Sequence, residues 1–223
     1  MSVQREGVDL AKRVGVELAA AGMGLLAGGP LGAVVGSAST PIIELVLLRE
    51  NRAIRKMEQL VMMVEQLAGV SSEEFLMWAQ QSEGRLFLAT MALQAATNAR
   101  SEQKIQALAR VVAENLGDDA RLDLASLTVT ALAELDPPHI QVLYILVHHV
   151  PPDVPAVSHQ DPGWSCLALK DRLPGIADGI MPIVAVLSRT GMITETPDST
   201  NERLRWAPTR FGIGCLNYLG DPA

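Results

Sequence analysis

Cysteine, aromatic residues and positive charge are all scarce in this chain. Only Cys166 and Cys215 are present among 223 residues. They stand far apart, which excludes a disulfide framework and a metal-ligand spacing and predicts a reducing cytoplasm. Aromatic residues make up 4% of the chain, and Ala, Leu, Val and Met dominate in their place. That balance favours helices over a β-rich fold. Lys and Arg number 18 against 25 Asp and Glu, a net charge of −7. No overall positive field therefore draws the molecule onto nucleic acid or an anionic bilayer, and any such binding must be local. No nucleophile setting, phosphate loop or dinucleotide fingerprint occurs, so a chain that is not an enzyme and takes no cofactor is expected. Glu6, Asp9 and Glu17 interrupt the start, and no secretion signal is expected there.

What is abundant is apolar surface, 48% of residues. That is enough for one large core or two small ones. Its most distinctive part is residues 19–43, which hold no charge. Gly24, Gly28, Gly32 and Gly36 recur at every fourth position, with Ala20 before them and Thr40 after. On a helix these positions form one side-chain-free stripe where a second helix can approach closely. Gly28-Gly29-Pro30 breaks the run, because proline lacks the N–H that would bond Leu26. A helical hairpin turning near Gly29 is predicted, with a second kink or helix start at Thr40-Pro41. Only eight of these twenty-five residues are Met, Leu, Val or Ile, whereas six are glycine and two proline. A single membrane span is therefore marginal. Lys12, Arg13, Arg49, Arg52, Arg55 and Lys56 flank the segment on both sides, which suits a hairpin that inserts partway, packs internally or self-associates.

The remaining periodicity is helical. Residues 3–27 have helical character, and the segment after Pro41 keeps helical spacing at Leu47, Ile54, Met57, Leu60, Val61, Val64 and Leu67 until Gly69. Met57, Met62 and Met63 read as adaptable core filler. Ser71 and Glu74 form a capping box with Val70 and Phe75 as its staple, opening a helix that runs to about Asn98 with a break near Gly84. Ser101 caps the next, which Gly117 is expected to close. Asp118, Asp119, Arg121 and Asp123 make a charged turn before a helix over 124–135. Asp118-Asp119 reads as a capping pair rather than a metal site. Asp136-Pro137-Pro138 starts another helix, followed by a proline-rich loop at Pro151, Pro152, Pro155 and Pro162. His148, His149 and His159 are the clustered imidazoles. Zinc would need further donors such as Cys166, so no metal is expected.

From Pro137 the predicted order is helix, loop, short helix over 166–173, turn at Pro174-Gly175, helix to Thr190, strand, polar turn over 197–201, strand over 204–206, and a last helix capped by Thr209 with Gly212 three residues on. This order, with the passage through Gly191 into a strand and the Thr-x-x-Gly cap after the hairpin, resembles the winged helix-turn-helix superfamily over about residues 137–220. The resemblance implies DNA binding through the second helix of the pair. That helix, residues 179–189, carries Arg189 as its one basic side chain and no Asn, Gln or Lys to address base edges. Residues 161–221 hold six basic and seven acidic residues, and only Arg203, Arg205 and Arg210 suggest an anion-facing or DNA-backbone patch.

The chain is thus expected to be mainly α. A Gly/Ala-rich hairpin lies over residues 1–50, an antiparallel helical bundle over 42–135, and a winged-helix-like domain with a small β-hairpin over 137–220. The expected function is non-catalytic interaction and regulation. The glycine zipper would serve membrane association or self-assembly, and the carboxyl-terminal domain would contact a protein partner or a second copy. The alternatives are a winged-helix DNA-binding transcriptional regulator and a membrane-perturbing, pore-forming effector. The expected location is the cytoplasm, extending to the inner face of the membrane.

Overall fold

The computed structural model describes residues 40–152, 163–197 and 204–220. The glycine hairpin, His159, the polar turn after Pro197 and Arg203 lie outside the described residues. Among those described, the chain is mainly helical, with nine α-helices and one small antiparallel sheet. It divides into two compact units, the first ending at Ala133 and the second starting at Glu134.

The described residues of the first unit form helices without strands: α1 (Thr40–Ala68), α2 (Ser72–Gln80), α3 (Glu83–Asn98), α4 (Glu102–Glu114) and α5 (Leu122–Glu134), the last residue of which begins the second unit. Its boundaries follow from local chemistry. Gly69, at φ +69, ends α1, and Ser71 and Glu74 make the complete capping box that opens α2. Ser71 donates its backbone N–H to Glu74 at 2.7 Å, and the Ser71 amide and hydroxyl hold the Glu74 carboxyl below its ordinary value of 4.5.

Two boundaries differ from expectation. The break expected near Gly84 falls at Gln81-Ser82, because Ser82 takes an extended conformation and its hydroxyl accepts from the Arg85 amide. A side-chain cap defines a helix start more firmly than a glycine inside the first turn does. Gly117 does not close α4. The helix ends at Glu114, and Asn115 caps it while its side-chain amide donates back to Val111 at 2.7 Å. Asp118 caps the 3-10 turn Asp119–Arg121 by accepting from Ala120, so α5 starts at Leu122.

The helices pack through small residues. Ala89, Ala92, Ala95 and Ala96 of α3 and Ala107 and Ala109 of α4 are buried, and α1, α3 and α4 pack against one another. Alanine faces let helix axes approach to about 8 Å, which explains how so few aromatics suffice. Phe75 and Trp78 of α2 stack at 5.8 Å. Arg85 lies over the Trp78 ring at 5.7 Å and pairs with Asp119 at 2.7 Å.

Two lysines cap helix ends from a distance. Neither α3 nor α5 has a basic residue in its last turn, where carbonyls lack intrahelical partners. Lys56 of α1 donates to the carbonyls of Thr97 and Ala99 at 3.2 and 2.6 Å. Lys104 of α4, 5% exposed, donates to Ala133 at 2.5 Å. Each cation also meets the negative end of the helix dipole.

The second unit runs α6 (Pro137–His148), β1 (Trp164–Ser165), α7 (Cys166–Arg172), a 3-10 segment (Pro174–Gly179), α8 (Ile180–Arg189), β2 (Ile193–Pro197), β3 (Leu204–Pro208) and α9 (Arg210–Leu219). The expected β-hairpin is present as β2 and β3 and gains a third strand, in the antiparallel order β1-β3-β2. β1 places Trp164 opposite Trp206, and the Trp164 indole donates to the His149 carbonyl at 3.2 Å. The core lies between α6, which packs on α8, β3 and α9, and the sheet.

α8 ends in a Schellman motif. Met192 N–H reaches Leu187 and Gly191 N–H reaches Ser188, with Gly191 at φ +74, a conformation that favours glycine. The Thr209 hydroxyl then donates to the carbonyls of Gly191 and Met192 at 2.7 and 3.1 Å and accepts from Gly212 at 2.9 Å. The Thr-x-x-Gly motif is therefore a weld between the start of β2 and the start of α9.

Candidate functional site

The candidate contact surface of the second unit is the outward side of α8. The helix forms because Ile180, Ile183, Val184 and Leu187 fall on one face and are all buried. The opposite face presents Met181, Pro182, Ala185 and Arg189 to solvent, with Met181 49% exposed. Three of those four are uncharged and apolar. The guanidinium of Arg189 is forked onto both carboxylate oxygens of Glu134. A bidentate pair of this kind fixes the cation's direction, so it is not held out toward a groove.

Of the predicted anion patch, Arg205 and Arg210 lie among the described residues. Arg205 sits on β3, half-buried, and its Nη1 donates to the Gly163 carbonyl at 3.0 Å. It serves to hold β3 against the residue preceding β1. Arg210 is exposed in the first turn of α9, where the helix dipole disfavours a cation. Arg203 lies outside the described residues. Of the glycine stripe, Ala20, Gly24, Gly28, Gly32 and Gly36 also lie outside them, and Thr40 is the first residue of α1.

Among the described residues no group of three His, Cys, Asp or Glu could hold a metal ion. His148 and His149 instead meet the Tyr144 ring at 4.4 and 6.1 Å. Burial pushes the Cys215 thiol up from 9.0 to about 12, leaving it protonated and unreactive at neutral pH. Cys166 is half-buried. Alkylation of the native protein is expected to modify Cys166 and spare Cys215 until the second unit unfolds, which mass spectrometry of the labelled chain would read. The same burial sets a pH dependence. Between 9.0 and about 12 the folded chain keeps a thiol proton that the unfolded chain releases, so stability falls as pH rises through that window. A Cys215→Ala variant should lose this alkaline slope.

A basic cluster that stands in the sequence only as a flank of the apolar segment lies on α1. Arg49, Arg52 and Arg55 are all exposed, as are Glu50 and Asn51 between them. The structure shows why they are distinct from the later turns of the same helix, where Leu60 and Val64 are fully buried. Exposure on successive turns could not be read from periodicity, because Leu47 and Ile54 continue the apolar spacing. Among the described residues no helix is long and apolar enough to cross a membrane.

Comparison of the chain with protein-family models, curated proteins and solved structures returned no match.

Proposed function

We propose that the chain is a non-catalytic helical interaction protein with a regulatory role. In this reading the glycine zipper over residues 20–40 provides membrane association or self-assembly. The second unit is a winged-helix-like domain adapted to contact protein. The order α6, β1, α7, α8, β2, β3, α9 with strand order β1-β3-β2 supports the winged-helix assignment. A fold does not carry its function with it, so the choice of a protein partner in this reading rests on the surface of α8.

The observation that carries the reading is that surface. Met181, Pro182 and Ala185 face solvent, and the helix's one cation is engaged by Glu134. A helix that reads bases needs polar forks for their edges, and one that grips the backbone needs cations to replace counterions. An apolar helix face suits the core of a protein contact instead.

Full-length protein titrated onto random duplex DNA should give no shifted band, even at low salt. A band whose intensity collapses as salt rises would instead support a DNA-binding regulator. For the amino-terminal part, fractionation of cell extract should leave the chain in the membrane pellet after a carbonate wash, or in a homo-oligomer if the zipper serves assembly. A monomer confined to the soluble fraction would count against both.

A further inference from the structure

We infer that Arg49, Arg52 and Arg55 of α1 form a headgroup site for an anionic phospholipid bilayer. This rests on the membrane reading of the adjoining segment and deepens it by naming the lipid chemistry. The argument starts from position. In residues 49–56 four side chains are basic and one is acidic, although the whole chain is acidic at −7. Three of the four, Arg49, Arg52 and Arg55, are exposed; Arg55 also donates its Nε to the Asn51 carbonyl at 3.3 Å, and the fourth, Lys56, is spent on the end of α3. Spacing of three residues puts each guanidinium about 4.5 Å further along the axis and all three within about 120° of the helix circumference. They present one charged stripe.

Charge alone would not select a bilayer over another polyanion; the chain on either side does. Immediately before Arg49 come residues 45–48, Leu-Val-Leu-Leu, and before them, across the single acidic residue Glu44, the uncharged stretch 19–43. A basic cluster directly following an apolar run is the arrangement that phospholipid headgroups favour, with the apolar part in the acyl region and the arginines at the phosphates. Burial inside the protein begins only later: after the arginines, Leu60 is the first fully buried residue of α1. Five residues of helix separate it from Arg55, about 7.5 Å along the axis, so the arginines precede the packed part of the helix. Duplex DNA would meet the same three cations but would leave the adjoining apolar run in water.

The test is flotation of the full-length chain with vesicles of pure phosphatidylcholine, or of phosphatidylcholine and phosphatidylglycerol in equal amounts. The wild type should bind the anionic vesicles more tightly, and molar salt should abolish the difference. The triple variant Arg49→Gln, Arg52→Gln, Arg55→Gln should lose about 100-fold in affinity for the anionic vesicles, from about fivefold per arginine. Its binding to pure phosphatidylcholine should be unchanged. Lys170→Gln with Arg172→Gln, which alters charge elsewhere, should preserve the preference. The triple Lys variant separates charge from architecture. Retained preference supports the site, and lost preference with intact helicity overturns it. Equal binding of wild type to both vesicles overturns the headgroup site while leaving apolar docking intact. Binding to neither overturns both, and capture of random duplex in place of anionic vesicles overturns the lipid assignment.

Discussion

Replacing Gly212 with alanine is expected to destabilise the second unit by about 3 kcal/mol or more, beyond the usual range for an overpacked site. The reason is the weld between β2 and α9. A methyl group at position 212 would collide with the Met192 carbonyl oxygen, and would sit 2.8 Å from its carbon and 2.9 Å from its α-carbon. These are backbone atoms, so no rotamer change relieves the overlap. Met192 cannot retreat either, because its amide bonds Leu187 and its carbonyl accepts from the Thr209 amide at 2.9 Å. Moving α9 away would break the Thr209 contacts and expose Cys215, Leu216 and Leu219, all buried. At Gly214, two residues on, a methyl group would meet nothing within 4 Å. Gly214→Ala therefore serves as the control and should be neutral or slightly stabilising through helix propensity. Urea unfolding of both variants decides it; equal midpoints would refute the weld.

The second large effect concerns Lys104. Lys104→Ala should cost the first unit about 3–4 kcal/mol, and Lys104→Met about 1–2 kcal/mol. Methionine keeps most of the buried aliphatic stem and removes only the ammonium, leaving the Ala133 carbonyl without that donor. Alanine removes the stem as well and opens a cavity. Chemical denaturation of the two variants separates those contributions. If Lys104→Met were more stable than wild type, the buried cation would cost more in desolvation than its bond to Ala133 returns.

Legibility from sequence follows the range of the interaction. Ser71 with Glu74, Ser101, and Thr209 with Gly212 act within one helical turn, and the structure has helix starts at each. Where two local signals compete, the hydroxyl of Ser82 prevails over Gly84, and Asn115 over Gly117. β1 reads as loop in the sequence because Trp164 and Ser165 become a strand only through their partners Trp206 and Arg205. The lysine caps are invisible there for the same reason. Lys56 and its acceptor Ala99 lie 43 residues apart, and nothing in the surrounding sequence marks them as neighbours. The bond from Arg205 to the Gly163 carbonyl is equally invisible in the sequence, because the two lie 42 residues apart.

The first helix also has a mechanical meaning. From Ile42 to Ala68 it contains neither glycine nor proline, so it has no joint at which a bend could be absorbed. A tilt or twist imposed near Thr40 is carried as by a drive shaft, through the arginines, into the turn that holds Lys56 on the end of α3 and Leu60 and Val64 in the packed interior. Whatever grips one end of this rod exerts leverage on the bundle at the other.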